Sequence, residues 1–457
     1  MKTKFKKHYR IITLILVIGI IQNLNAQTIG IIDPTPKLPK VSIFQQPNII
    51  NNYSEIHQPK TPNIYNPNLS IQQRNQMLIQ QADTQIQQNQ IQSRQLVQEA
   101  ISEFENQSTP INYNLPSYSH IPATSHYKKA FSELSKMADT SFSIKEANFI
   151  VENAFYENKV NYDEFDKLIG EIGQFLNAKM DELKYDKNNN LHKNTILFQF
   201  FSDTLQVKSQ GLEHLPFKYE FDDYMGRNDW SNMFVLKLLR TNKGQCHSLP
   251  LLYLILAEEI DAKAHLAFSP NHSYIKFQNN NGKWINVELT NGMLTMDAFI
   301  LQSGYMKAEA LSSKIYMQPL TKKQVLSEFM VDLAKGYSTK FGYDEFVEQA
   351  IEKALELYPN NIFAQMLKSD CKTLRFMFVQ KQLRVPPAEI QKYPKAKKML
   401  DEMYKQYEII DNLGYEKMPI ADYKKWLNSL KQAKNKQESA KMVNELKQTI
   451  KLNEWKD

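Results

Sequence analysis

The chain has 457 residues, 42% hydrophobic and 23% charged, with a formal net charge of +7. That length holds two or three domains, and the apolar content is enough for ordinary cores, which excludes a chain disordered throughout. Lys2, Lys4, Lys6, Lys7 and Arg10 carry five of the positive charges, so the remainder is close to balanced; with no clustered arginines and no interleaved aromatics, no nucleic-acid partner is expected.

Residues 1–26 set those basic residues ahead of an apolar run, Ile11 to Ile21, and close on Leu24-Asn25-Ala26. The apolar run is too short to span a bilayer, and Ala26 offers a small residue for cleavage. This reads as a signal peptide, with export to a periplasmic or secreted location and no membrane contact after cleavage; an uncleaved anchor is the alternative. Residues 27–125 read as a low-complexity linker, with Pro34-Thr35-Pro36 and Pro59-Lys60-Thr61-Pro62 and no sustained period. Within it, a Gln-rich stretch near 69–105 places Ile71, Leu78, Ile79 and Ile86 near helical repeats. A single exposed helix, or a weak coiled-coil contact, fits that spacing.

From Tyr127 the composition becomes globular. Ser143-Ile144-Lys145-Glu146 is a capping-box signature, and Tyr162 to Leu183, Leu191 to Leu205 and Met233 to Leu239 follow helical spacing. Gly244, taken as a turn residue, precedes Gln245-Cys246-His247-Ser248-Leu249-Pro250. Leu249, Leu252, Tyr253, Leu256 and Ile260 then recur at three- and four-residue spacing, so a core-facing helix starts close to Cys246, with Pro250 in its first turn. A thiol there meets the positive end of the helix dipole and free backbone donors, both of which favour thiolate.

The chain then reads as strands: Ala262 to Phe268, a turn at Ser269-Pro270-Asn271, His272 to Phe277, a loop at Asn279 to Gly282, and Trp284 to Leu289. Alternation puts Ile285, Val287 and Leu289 on one face and Trp284, Asn286 and Glu288 on the other. His272 and Glu288 are therefore expected on adjacent strands, facing the helix that carries Cys246.

Gly-x-Cys at a helix start, a histidine heading the next strands, and Trp284, Glu288 and Thr290 in a Trp-x-x-x-acid-x-Thr pattern resemble the transglutaminase-like, papain-related cysteine enzymes. The resemblance implies Cys246 as nucleophile, His272 as general base and acid, and Glu288 orienting the imidazole. The acid of this pattern is usually Asp, so Asn286 and Asn291 stay open as orienters. Asp261 stands where relatives usually turn with glycine. For the oxyanion, the backbone N–H of Cys246 and a side-chain donor, Gln210 or Trp230, are expected.

Further on, Lys353 to Asn361 resembles the second helix and exit turn of a tetratricopeptide repeat. Val385-Pro386-Pro387 is a proline-containing interruption after the next helix, and Tyr404 to Leu430 reads as another helix pair turning at Leu413-Gly414-Tyr415. The expected class is α+β: a transglutaminase-like domain, residues 126–320, with a helical lobe and a small antiparallel sheet, then a helical repeat domain, residues 321–457. A transglutaminase-like domain followed by such repeats resembles a bacterial arrangement.

The expected activity acts on peptide or carboxamide bonds through Cys246, His272 and Glu288, with hydrolysis favoured over acyl transfer to an amine. Its partners are a protein or peptide substrate and a protein gripped by the repeats. The competing class is a non-catalytic peptide-binding module. No cofactor is expected. A metal on Cys246, His247, His265 and His272 is disfavoured, because adjacent helical residues diverge by about 100° and no paired-ligand spacing is present. A disulfide to Cys371, the only other cysteine, would remove the nucleophile; Cys371 falls in a separate helical pattern.

Overall fold

The computed structural model describes residues 84, 85, 87–89, 91, 110–138, 141–430 and 432. The expected signal peptide, most of the linker with its Gln-rich stretch, and the end of the expected repeat domain lie outside the described residues. Among those described, the fold is mixed α and β and mostly helical.

Residues 114–376 and 397–430 belong to one compact unit. It opens with α1 (Thr124–Met137), α2 (Ile144–Phe155), α3 (Tyr162–Glu182) and α4 (Asn190–Ser202). Helix starts follow local chemistry: Asn161 and Asn189 cap α3 and α4 with their side-chain oxygens, and the Ser143 hydroxyl accepts from Glu146 N–H at the head of α2. A hairpin of β1 (Leu205–Val207) and β2 (Leu212–His214) follows. Then β3 (Lys218–Tyr219) pairs in parallel with β4 (Lys243–Gly244), on the far side of α5 (Val235–Thr241).

The centre of the unit is α6 (Ser248–Glu259), which packs against α2, α3, α4 and α5 and against the sheet that follows. Every residue from Leu249 to Ala257 is buried, so this helix is apolar all round, as a fully enclosed helix must be. Each such leucine contributes roughly 1.5–3 kcal/mol by leaving water. Its ends are held by charge. Glu258 accepts from the Ser143 hydroxyl and Ile144 N–H at the start of α2, and its other oxygen meets Lys322. Asp261 closes the helix with a left-handed φ of 53°, a conformation glycine would adopt at less cost.

The sheet is an antiparallel meander, β5 (His265–Ser269), β6 (His272–Gln278), β7 (Trp284–Glu288) and β8 (Met293–Thr295). Ser269 pairs with His272, so the turn between them is only Pro270-Asn271, with Asn271 in the left-handed region. Leu266, Phe268, Ile275, Phe277 and Val287 belong to the core shared with α6, whereas Ala267 and Tyr274 bury against Ile300. Strand alternation places His272 and Glu288 with Tyr274, on the face turned away from the α6 core. The expectation that they face the helix is thereby corrected: they meet Cys246 at the end of the sheet, not across it.

After α7 (Asp297–Leu301) and α8 (Ala308–Ser312), α9 (Lys322–Phe341) starts with a full capping box, Thr321 with Gln324. It forms a hairpin with α10 (Glu345–Leu357) and also packs on α1 and α2. These helices thus share one core with those preceding the sheet. Then come α11 (Ile362–Leu383), a short 3₁₀ turn at Pro387–Lys392, α12 (Pro394–Asn412), a turn at Gly414 with φ 83°, and a last helix over residues 420–430. A second, smaller unit includes described residues 110–113 and 377–396; within it the Gln382 carboxamide exchanges two hydrogen bonds with the backbone of Asn112. No helix among the described residues is long and apolar enough to cross a membrane.

Candidate active site

Cys246 sits two residues before the first helical residue of α6, and the approach to it is fixed from both sides. Upstream, a Cβ on Gly244 would lie 2.9 Å from Leu238 Cδ1 and 3.0 Å from both Leu249 Cγ and Ser248 Oγ. Gly244 is thus a close-approach residue inside β4, not the turn expected from sequence. The Ser248 hydroxyl accepts from Gln245 N–H at 3.1 Å, and Gln245 Oε1 accepts from His247 N–H at 2.7 Å. The Ser273 hydroxyl donates to the Cys246 carbonyl. The thiol is consequently held at the mouth of the helix while the Cys246 N–H makes no hydrogen bond within the described residues.

Facing it, His272 begins β6. Its Nε2 lies 2.7 Å from Glu288 Oε2, with both side chains fully buried. The other oxygen of Glu288 accepts from Thr290 N–H at 2.9 Å, so the acid is oriented at both ends. Asn286, the alternative orienter, donates to Asp297, and Asn291 lies against Met293 sulfur; neither engages the imidazole. With Nε2 committed to Glu288, Nδ1 is buried without a direct hydrogen bond and is the ring nitrogen open to the thiol.

The electrostatics follow from that placement. Burial works against an imidazolium, yet the charge of Glu288, the neighbouring Cys246 thiol and the hydrogen bond to Glu288 outweigh it and lift His272 to about 10. Burial likewise opposes ionisation of Cys246, but His272, then the hydroxyls of Tyr423 and Tyr219, bring the thiol below its ordinary value. Both shifts favour thiolate beside imidazolium.

Two tyrosines flank the sulfur. Tyr423 Oη is 3.5 Å from Cys246 Sγ. Tyr219 reaches the same place from β3, where it pairs with Gly244, and its hydroxyl is buried without a hydrogen-bond partner. Of the side-chain oxyanion donors expected from sequence, Gln210 is exposed in the β1–β2 turn, and the indole nitrogen of Trp230 lies near Gly336. The signal for Tyr219 was absent from local spacing, because it is delivered by a two-residue parallel pairing across α5.

The other residues considered for a metal are turned to separate partners. His247 meets the Met233 carbonyl and the Asp332 carboxylate, and His265 meets the Leu320 carbonyl. Burial opposes protonation of His247, but Asp332 outweighs it and raises the ring to about 9. Cys246 and Cys371 are both free thiols. Burial, the leading cause, pushes Cys371 well above the ordinary thiol value, so the two thiols have opposite character.

Compared with protein-family models, curated proteins and solved structures, the chain matches none.

Proposed function

We propose that this protein is an exported, transglutaminase-like thiol enzyme that hydrolyses peptide or carboxamide bonds through Cys246, His272 and Glu288. The observation that carries the reading is the buried His272–Glu288 contact of 2.7 Å, with the remaining imidazole nitrogen open beside the Cys246 thiol. A structural histidine would have both nitrogens satisfied; this one keeps Nδ1 free next to a nucleophile.

In the proposed reaction the Cys246 thiolate attacks the carbonyl carbon, and the tetrahedral oxyanion is met by the free Cys246 N–H and the Tyr219 hydroxyl. The C–N bond then breaks as the His272 imidazolium gives its proton to the leaving amine. His272, now neutral, takes a proton from water; the resulting attack on the thioester releases the carboxylic acid and returns Cys246 as leaving thiolate. Glu288 stays ionised throughout and fixes the ring. The α9–α10 hairpin, with the Lys353 to Asn361 turn, is the proposed grip for a protein partner.

The second reading, a peptide-binding module without turnover, draws support from the helix over residues 420–430, whose Tyr423 and Trp426 cover the reacting groups. The two readings part on Cys246→Ala. Hydrolysis of casein or a glutamine-donor peptide should fall by about 10³-fold or more in that variant. Retention of the parent's turnover would remove the thiol mechanism.

A further inference from the structure

The helix over residues 420–430 has no part in the reaction just described, yet it lies on the reacting groups. Tyr423 Oη stands 3.5 Å from Cys246 Sγ, and the Trp426 ring meets the His272 ring edge-to-face at 4.6 Å between centroids. The segment carries its apolar residues at Tyr423, Trp426, Leu427 and Leu430, on one helical face, while Lys424, Lys425, Asn428 and Ser429 are exposed. With Met418, that face fills a cluster built on Tyr224 and bordered by Met225, Phe299 and Tyr305. Tyr423 and Tyr224 rings sit 5.4 Å apart. Tyr423 thus stands against the half-buried sulfur and competes with a substrate carbonyl for it.

We propose that residues 418–430 are an intrasteric plug, and that the aromatic pocket they fill is the subsite where a peptide substrate docks an aromatic side chain next to the scissile bond. The proposal deepens the thiol-enzyme reading of the same site and depends on it. The attachment of the plug is built to be undone. Gly414 is docked so closely on Glu309 and Ala310 that no Cβ would fit, which anchors the near end, while residues 415–419 beyond it form neither helix nor strand. Among the described residues, the polar ties to the rest of the site are Asn271 Nδ2 to the Met418 carbonyl at 3.4 Å, Tyr305 hydroxyl to the Asp422 carboxylate, and Tyr423 to the thiol. An amphipathic helix seated in an aromatic groove is also a common way to hold a peptide ligand, so the pocket the plug fills is shaped for such a chain.

The test measures alkylation of Cys246 by iodoacetamide in the full chain, followed by mass spectrometry. Tyr423→Ala with Trp426→Ala should speed it by about tenfold or more, as expected when a locally opened state becomes dominant. Tyr305→Phe, which removes only the tie to Asp422 and keeps the ring, should speed it by a smaller factor. A synthetic peptide of residues 416–430 should slow alkylation of the double variant, and the same peptide with alanine at positions 423 and 426 should not. Unchanged rates in both variants, or no protection by the parent peptide, would overturn the plug. Adding His272→Ala to the double variant separates the two readings: a rate that does not fall would sink the activated thiol while leaving the steric block standing.

Discussion

Glu288→Gln is the perturbation with the clearest expected consequence. His272 is held at about 10 against an ordinary 6.5, which corresponds to roughly 4–5 kcal/mol favouring the imidazolium. Among the influences that raise it, the Glu288 charge is the largest, and burial pulls the other way. With glutamine in its place, burial acts with less opposition and drives the ring neutral. The replacement also has a single acceptor oxygen for two donors, Thr290 N–H and His272 Nε2–H, so its own amide hydrogens must face one of them. The thiol then loses the cation beside it, and burial, the largest influence on Cys246, raises it. Alkylation of Cys246 followed across pH should show its midpoint moving from below the ordinary thiol value to at or above about 8.5, with a loss of about 10²-fold in rate at pH 7. Parent and variant both keep Tyr423 beside the sulfur, so its influence on the thiol is common to the two midpoints. A variant whose midpoint stays with the parent's would refute the assignment of Glu288.

Two further outcomes concern the scaffold. Gly244→Ala forces a methyl group to within 3.0 Å of Leu238, Leu249 and Ser248, so thermal unfolding should show a loss of about 1–3 kcal/mol, together with slower alkylation as the Ser248 tie to Gln245 is displaced; an unchanged melting temperature would contradict the close packing. Burial, followed by the Asp332 charge, raises Glu328 to about 8, so between its unfolded value near 4.5 and about 8 the folded chain keeps a proton that the unfolded chain releases. Stability therefore falls as pH rises through that window. Glu328→Gln should flatten the fall and melt higher than the parent at pH 8, with Glu152, raised to about 7, and His247 and His272, raised to about 9 and about 10, leaving a residual decline. A parent whose stability rises from pH 5 to pH 8 would contradict this.

How much of the site was legible in the sequence depended on distance along the chain. The order Cys246, His272, Glu288 could be placed because one helix and two tight hairpins separate the three, and strand register over a few residues is set by alternation. The apolar periodicity of α6 and the cap at Ser143 belong to the same local class. The sheet face was misjudged because alternation says which residues share a face, not which face the helix covers. Gly244 was read as a turn because glycine commonly supplies left-handed backbone; its packing against Leu238 and Leu249 is a tertiary fact. Gln210 and Trp230 are donors the sequence offers from the upstream lobe, whereas the hydroxyls at the thiol come from Tyr219, held by parallel pairing, and Tyr423, 177 positions away. The segment near Tyr423 reads in sequence as half of a repeat pair, because an amphipathic helix shows its apolar face without showing what that face covers.

The His272 imidazole favours ionisation of the sulfur at the head of α6. That ionisation is tested most directly by ultraviolet titration of thiolate absorbance in the intact parent, with Cys246→Ala as the blank. Thiolate signal already present near neutral pH, and lost in His272→Ala, is the expected result. A difference signal that emerges only at or above the ordinary thiol value, in parent and His272→Ala alike, would contradict the account.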